Sequence, residues 1–523
     1  MNSSPLLQDG EITRAQQASR NKSTTCNSHT KDTMTIIPPR STNREPASSS
    51  AWAGKMKAYI IPIIMSGLMI QLLFLGNMSY MFGTMFKSGS RLHNLKILAV
   101  DYDNGDIGRS ISGAYGALQS KQFPTVKFAK SSDYPTPESL RDAVCNHGYW
   151  GAVYTHSGAS DRLLSTIEGD NTTTYNPNDA VTYIYNSAFY PAAFMSLKGS
   201  LQSLVAAASK FYPMSNPDVL KGANLTSPAS VSALLNPFTA KEWDIMPTNQ
   251  GARILLNTVS MVMPIIMQFF FQMGLNGITG AANMLAGQSK RDVYVFRFCT
   301  GKIFTFVSAL GMAGYIWAFR EDWGVTAGQF FETWMCIWFY MDINYLTIDS
   351  LVGTIIPMQF FAFFLLTWII INIASVVYPF ELTPGFFHWS WALPSHNVYL
   401  LLVGIWSGCR AQIGTTLPIL FSWWLVTHVT SAWSVRKRCL LAEAEVQQNE
   451  QAQHDKFVRF STEQSEQYVL NRVSSRTAND RTSPDRDIEA NRLGVGESLP
   501  NGSESRTIIS APSDREEGRT GKE

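Results

Sequence analysis

The chain has 523 residues, of which 45% are hydrophobic and 16% charged, and a charged share this far below the ~25% of soluble domains argues against an ordinary soluble enzyme. Lys plus Arg number 42 and Asp plus Glu 40, so the net charge of +2 gives no electrostatic reason for nucleic-acid binding. The mean hydropathy of -0.04 averages long polar ends with apolar runs between them; uncharged windows of about 20 residues, the length that crosses ~30 Å of hydrocarbon, recur and mark an integral membrane protein.

Residues 1–54 are rich in Ser, Thr, Asn and Gln and are predicted to be disordered and cytoplasmic. The uncharged run Ala58–Tyr80 follows Lys55 and Lys57, too far into the chain for a cleaved signal, and reads as a first crossing with its N-terminus inside. Residues 85–250 contain no further uncharged stretch of membrane length, so they are expected to fold as a separate domain on the outer side. In it LKILAVDYD (Leu95–Asp103) reads as a strand, and the helical spacing of Ile107, Ile111, Ala114, Tyr115 and Leu118 as a helix. TVKFAKS, TPESLRDAVCNH and YWGAVYTH then read as strand, helix and strand. The pattern is an α/β domain, and the Asp101, Asp103 and Asp106 mixture after its first strand reads as turn chemistry in preference to a cation loop.

A five-helix membrane domain is expected over residues 254–435. Its runs begin after Arg253, continue from Gly301 to Phe319 behind a basic loop with Lys290, Arg291 and Arg297, and include Phe331–Ile348 and Ile355–Pro379. The last, Ile413–Trp433, precedes Arg436, Lys437 and Arg438. With the first run these make about six transmembrane helices, arranged 1+5, and both termini cytoplasmic by the positive-inside rule. Residues 380–410 are apolar but broken by Pro384, Pro394 and two histidines; they read as a re-entrant or interfacial hairpin, with a seventh crossing from about Leu393 to Cys409 as the alternative. Residues 441–523 read as a disordered cytoplasmic tail.

Six cysteines fall in no metal-ligand or redox spacing, and no metal, cofactor or catalytic constellation is predicted. Cys145 and Cys409 both map to the outer side and are either free or joined by a disulfide tying the domain to the hairpin. Sequons at Asn171 and Asn224 would be exposed to glycosylation there; those at Asn2, Asn21 and Asn501 would not.

Three strings, ELTPGFFHWSWALPSHN (Glu381–Asn397), VDYDNGDIGRSI (Val100–Ile111) and GYWGAVYT (Gly148–Thr155), resemble the fungal nitrosoguanidine-resistance membrane protein family, a domain of unknown function. The resemblance covers roughly Met56–Arg438. The plan of one helix, an α/β domain and five helices is also similar to the phage-infection-protein-like branch of ABC-2 transporter membrane subunits. The resemblance implies a multi-pass plasma-membrane protein, or one of another secretory membrane, that contributes to resistance to nitrosoguanidine and other toxic compounds as an export permease. The chain departs from a complete ABC exporter in lacking a phosphate-binding loop, since CTGKIF at Cys299 has no first glycine.

Asp342, with Asn344 beside it, interrupts the fourth run, and an intramembrane carboxylate is either a proton or cation relay or a packed polar pair. Asp349 reads as a residue of the cytoplasmic helix end. Gln268, Gln272 and Asn276 share one helical face and either line a polar path or bond to neighbouring helices. In the hairpin, Glu381, His388 and His396 are candidates for pH sensing or for interfacial anchoring, and Pro384, Gly385 and Pro394 for setting its bends. Two functions follow: a transport protein moving amphipathic small molecules or lipids across the bilayer, alone or as a homo-oligomer, or a non-transporting scaffold that recruits other proteins.

Overall fold

The computed structural model describes residues 49–50, 55–146, 148–169, 175–248, 251–409 and 412–480. The expected disorder of the N-terminal segment lies outside these residues apart from Ser49 and Ser50, as do Asn171 and everything past Asp480. The chain falls into two units. The first, ending at Thr84, contains nearly all of helix α1 (Lys55–Met85); at 1.5 Å per residue its 31 residues span roughly 46 Å, enough to cross a bilayer despite Pro62.

The second unit begins at Met85 and holds both the α/β layer and the remaining helices. After a 3₁₀ segment, Ser88–Asn94, come β1 (Lys96–Asp101), α2 (Asp106–Leu118), β2 (Thr125–Ala129), α3 (Pro137–Cys145), β3 (Gly151–Thr155), α4 (Ala159–Glu168) and β4 (Val181–Tyr185). The 25-residue α5 (Pro191–Ser215), α6 (Pro217–Gly222), α7 (Pro228–Leu235) and β5 (Ala240–Asp244) complete the layer. The sheet order is β2-β1-β3-β4-β5, parallel except where β3 meets β4. Alternation in β1 feeds both faces: Ile97 and Ala99 join the core under α2, α4 and α5, while Leu98 and Val100 face Leu140 and Val144 of α3. The Thr136 hydroxyl caps α3 by accepting from the Ser139 N–H.

At the carboxyl ends of β1 and β3, where the strand order reverses and open α/β sheets most often bind ligands, the chain fills the crevice itself. Asp101 Oδ1 accepts from the N–H groups of Asp103 and Asn104 at 3.0 Å each and from the Thr155 hydroxyl. Asp103 Oδ2 accepts from the Ser160 N–H and hydroxyl. The carboxylates therefore lock the turns, and a Cβ at Gly108 would stand 2.0 Å from Asp101.

The remaining helices are α8 (Val259–Ala281), the short α9 (Met284–Gly287), α10 (Lys290–Ala318), α11 (Ala327–Leu351), α12 (Phe361–Val377), α13 (Pro394–Ser407) and α14 (Ile413–Asp480). Among the described residues, four segments combine the length and apolarity needed to cross a membrane: Lys57–Met85, Val259–Ala281, Lys290–Ala318 and Met358–Val377. α11 and α14 are long enough as well, but acidic residues lower the hydropathy of the first and a polar second half that of the other. A capping box between Thr326 and Gln329 starts α11. α10 and α11 approach closely at Gly301, where a Cβ would meet the Tyr345 ring at 2.4 Å.

Three expectations change. The domain at 85–250 is not separate: Leu95, Phe189, Tyr190 and Ala193 belong to the same apolar core as Ile265, Tyr340 and Trp406 of the helices, because the layer sits on the bundle end with its apolar edge covered. The tail is not disordered from Leu441; α14 runs 68 residues to Asp480, sustained by Ala-, Glu- and Gln-rich sequence of high helix propensity. The basic loop is helix from Lys290 onward.

Residues 380–409 begin and end on the face that carries the α/β layer. The Glu381 carbonyl accepts from Asn94 Nδ2, a 3₁₀ stretch Gly385–Ala392 dips to where Trp423 Nε1 donates to the Ala392 carbonyl at 2.7 Å, and α13 starts beside mid-helix Tyr340. Buried around most of its circumference, α13 then returns to Cys409, which is disulfide-bonded to Cys145.

Candidate intramembrane charge sites

Two carboxylates of α11 face the neighbouring helices α10 and α14. Asp349 is 2% exposed and pairs with Arg297 Nη2 at 2.5 Å and Arg438 Nη2 at 2.8 Å. Its other oxygen accepts from the Ser431 hydroxyl at 2.9 Å. This corrects the sequence reading on three residues. Arg297 is not a loop residue but a buried helical one, Asp349 is not a solvated helix end, and Arg438 of the terminal basic cluster is drawn inward. The helical register of α10, α11 and α14 puts the three on facing stripes, and an isolated buried charge would cost too much to persist. Arg297 Nε and Nη1 and Arg438 Nε lack acceptors among the described residues.

Asp342, two turns earlier, has different company. Its Oδ2 accepts from Lys302 Nζ and, at 2.9 Å, from Trp424 Nε1, and Lys302 Nζ lies 3.1 Å from His428 Nε2. Asp342 Oδ1 is buried with no partner among the described residues, whereas the Lys302 side chain is 23% exposed. A carboxylate, an ammonium and an imidazole are thus contiguous, with an acceptor oxygen on the carboxylate unpartnered among the described residues, a partly accessible ammonium in the middle and the imidazole Nδ1 bonded to the Trp424 carbonyl at 2.7 Å at the far end. Such a chain can exchange protons. Asn344 does not join it: Nδ2 donates to the Tyr340 carbonyl and Oδ1 accepts from Trp368 Nε1 at 2.8 Å.

The glutamine face does not form a single path. Gln272 Nε2 donates to the Tyr345 carbonyl at 2.7 Å, Asn276 Oδ1 accepts from Arg297 at 2.9 Å, and buried Gln268 has no side-chain partner among the described residues.

In the hairpin, the Phe380 ring lies 5.5 Å from the His388 ring and 4.5 Å from that of His396. Exposed His388 bonds to the Phe380 carbonyl and buried His396 to the Ser375 carbonyl, so both act as anchors of the bend. Pro384 precedes the 3₁₀ stretch and Pro394 opens α13. Gly385 has open space around its Cβ position and no positive φ, so the turn does not require a glycine there. The Glu381 side chain is exposed. Asn224 is half-buried, with Oδ1 accepting from the Thr226 hydroxyl at 2.6 Å. Among the described residues no group of three or more His, Cys, Asp or Glu is placed to hold a metal.

Sequence reasoning found Asp342 and missed Lys302, His428, Arg297 and Arg438. A basic residue at the second position of an apolar run, as at Lys302, was the available signal.

A bundle of apolar helices carrying buried ion pairs beneath an α/β layer defines a polytopic helical membrane protein. The profile of DUF3533, a protein family of unknown function, matches residues 66–429, and the chain belongs to that family. A Saccharomyces cerevisiae protein described as an uncharacterized endoplasmic reticulum membrane protein is 20% identical over 380 residues, covering 66% of this chain and 73% of the relative. No solved structure matches.

Proposed function

We propose that the protein is a transport protein of ABC-2-like plan, an export permease for amphipathic compounds whose loss raises sensitivity to nitrosoguanidine and other toxic molecules. The observation that carries it is the Lys302–Asp342–His428 cluster in mid-bundle, with a buried unpaired carboxylate oxygen. A charge group of this kind is costly in a membrane and recurs where protons or ions are passed between helices. A six-crossing topology would fit the same reading. The Cys145–Cys409 disulfide favours an oxidising compartment for the α/β layer, and Lys290, Arg291, Arg436 and Lys437 lie at the opposite, cytoplasmic end. The bilayer is then the plasma membrane or another secretory membrane.

The test is accumulation of a fluorescent amphipathic drug in cells lacking the protein, complemented by wild-type chain or Asp342→Asn at equal membrane abundance. Wild type is expected to lower accumulation and Asp342→Asn to leave it high. Equal rescue by both would overturn the relay, and unchanged accumulation on deletion would overturn export.

A second reading, a membrane scaffold, draws on the exposed half of α14, where Phe457, Phe460 and Tyr468 stand 54–70% exposed. Deleting residues 441–523 would then abolish resistance while leaving drug accumulation unchanged.

A further inference from the structure

A cavity of about 460 Å³ lies beyond the relay, between the β5 edge of the sheet and the start of the membrane helices, within the size range of small-ligand sites. Tyr185, Phe194, Lys198, Glu242, Asp244 and Arg253 line it. Its charges are two cations and two carboxylates. Lys198 pairs with Glu242 and lies 5.3 Å over the Tyr185 ring. Asp244 Oδ1 accepts from the Ser187 and Met246 N–H groups at 2.9 and 3.3 Å. Burial alone would raise the Glu242 carboxyl, but bonds from Lys198 and Tyr185 prevail and hold it below its ordinary value; burial pushes Asp244 up.

Arg253 is the unspent group. It stacks 3.9 Å over the Phe194 ring and donates from Nη2 to the Ser187 carbonyl. Its buried Nε has no acceptor among the described residues; Asp244 acts on it through its charge, with no direct bond between the two among the described residues. Immediately after it, Ile254 and Leu255 are 67% and 45% exposed, and the apolar span Val259–Ala281 begins within two turns. The cavity is therefore at the depth where a helix enters the membrane, the depth of phospholipid headgroups.

We infer that this cavity binds the headgroup of a zwitterionic phospholipid, with the phosphate on Arg253 and the ammonium between Glu242 and the Tyr185 ring. An arginine with an unbonded N–H suits a phosphate ester, and an aromatic face beside a carboxylate suits an ammonium. The ligand's ammonium would take the place that Lys198 now occupies, and the released Lys198 would turn to the phosphate. Because Lys198 and Arg253 balance Glu242 and Asp244, a net-neutral headgroup leaves the site neutral, whereas an anionic one leaves excess negative charge.

The inference stands on the cavity and not on Asp342, so an Asp342→Asn protein is expected to bind equally well. The test is calorimetric titration of the purified full-length chain in detergent with monomeric dihexanoyl-phosphatidylethanolamine. Parallel arms use dihexanoyl-phosphatidylglycerol, phosphoethanolamine and inorganic phosphate. Saturable binding is expected, about tenfold tighter than for the glycerol headgroup and weakened about tenfold by Arg253→Gln. Should Arg253→Gln not fold, Lys198→Met on the more open wall is expected to reduce the preference for the zwitterion. Equal affinity for the two lipids, or unchanged binding in the variants, would overturn the inference. Phosphoethanolamine or phosphate binding as tightly as the lipid would also overturn it, in favour of a soluble phosphate ester.

Discussion

Asp342 and Asp349 are seven residues apart on one helix and are both buried, yet their surroundings differ in kind. Asp349 is held by two guanidiniums and a hydroxyl and is 2% exposed. Asp342 is held by one ammonium on a partly exposed stem, one indole and, among the described residues, nothing on its second oxygen. Burial of a charge in a membrane bundle does not by itself mark a working group. What separates the two is whether the partner can leave: Asp349 is held by two buried guanidiniums, one from each neighbouring helix, while Asp342 is held by a single flexible, partly exposed lysine.

That contrast can be broken at its stronger end first. Asp349→Ala leaves two buried guanidiniums uncompensated and is expected to cost about 3–5 kcal/mol, seen as loss of monodisperse protein on heating in detergent. If Asp349→Ala were as stable as wild type, the fixture would not exist. Cys145→Ser removes a cross-link between residues 264 apart and should cost about 2–4 kcal/mol, read as a lower midpoint for thermal unfolding. Lys302→Gln is expected to cost only about 1–2 kcal/mol, since its side chain is partly solvated, while abolishing export measured by drug accumulation. A larger stability loss than for Asp349→Ala would reverse the assignment of roles.

The smallest effect concerns pH and must be separated from any proton relay. Burial lowers His156, in the α/β layer, below the ordinary imidazole value of 6.5. The unfolded chain takes up this proton first, so His156 stabilises the layer above pH 6.5 and that contribution is lost as the pH falls through the lowered folded value. Proteolysis of the layer should accelerate roughly threefold on acidification, and less in His156→Gln. A pH dependence of export that survives in His156→Gln would belong to the bundle.

The sequence-level expectations held best where a local pattern determines a structure. Alternation made β1 visible, the 107–118 spacing made α2 visible, and an aspartate in an apolar run drew attention to Asp342. β4, β5 and α5 were not foreseen, since the stretch after Thr155 mixes turn formers with short apolar groups and its strands are fixed by pairing with distant ones. The partners of the carboxylates were misassigned for a physical reason. Arg297 and Arg438 carry the same signal as residues that hold a helix end in the cytoplasm, and only the facing of three helices shows that their charge is spent inside. The breaks in residues 380–410 were legible from their prolines, since Pro384 precedes the 3₁₀ stretch and Pro394 opens α13.

The covalent tie between Cys145 and Cys409 has a consequence for the making of the protein. Its two thiols leave the ribosome 264 residues apart, about 13–50 s at 5–20 residues per second. Throughout that interval Cys145 emerges without its partner, and the α/β layer cannot reach its final covalent form until the last re-entrant turn has been made. Completion of the bond is thus a single chemical mark that the layer, the hairpin and the intervening helices have all found their places, and a chain arrested before Cys409 would carry an exposed thiol that retention machinery can detect.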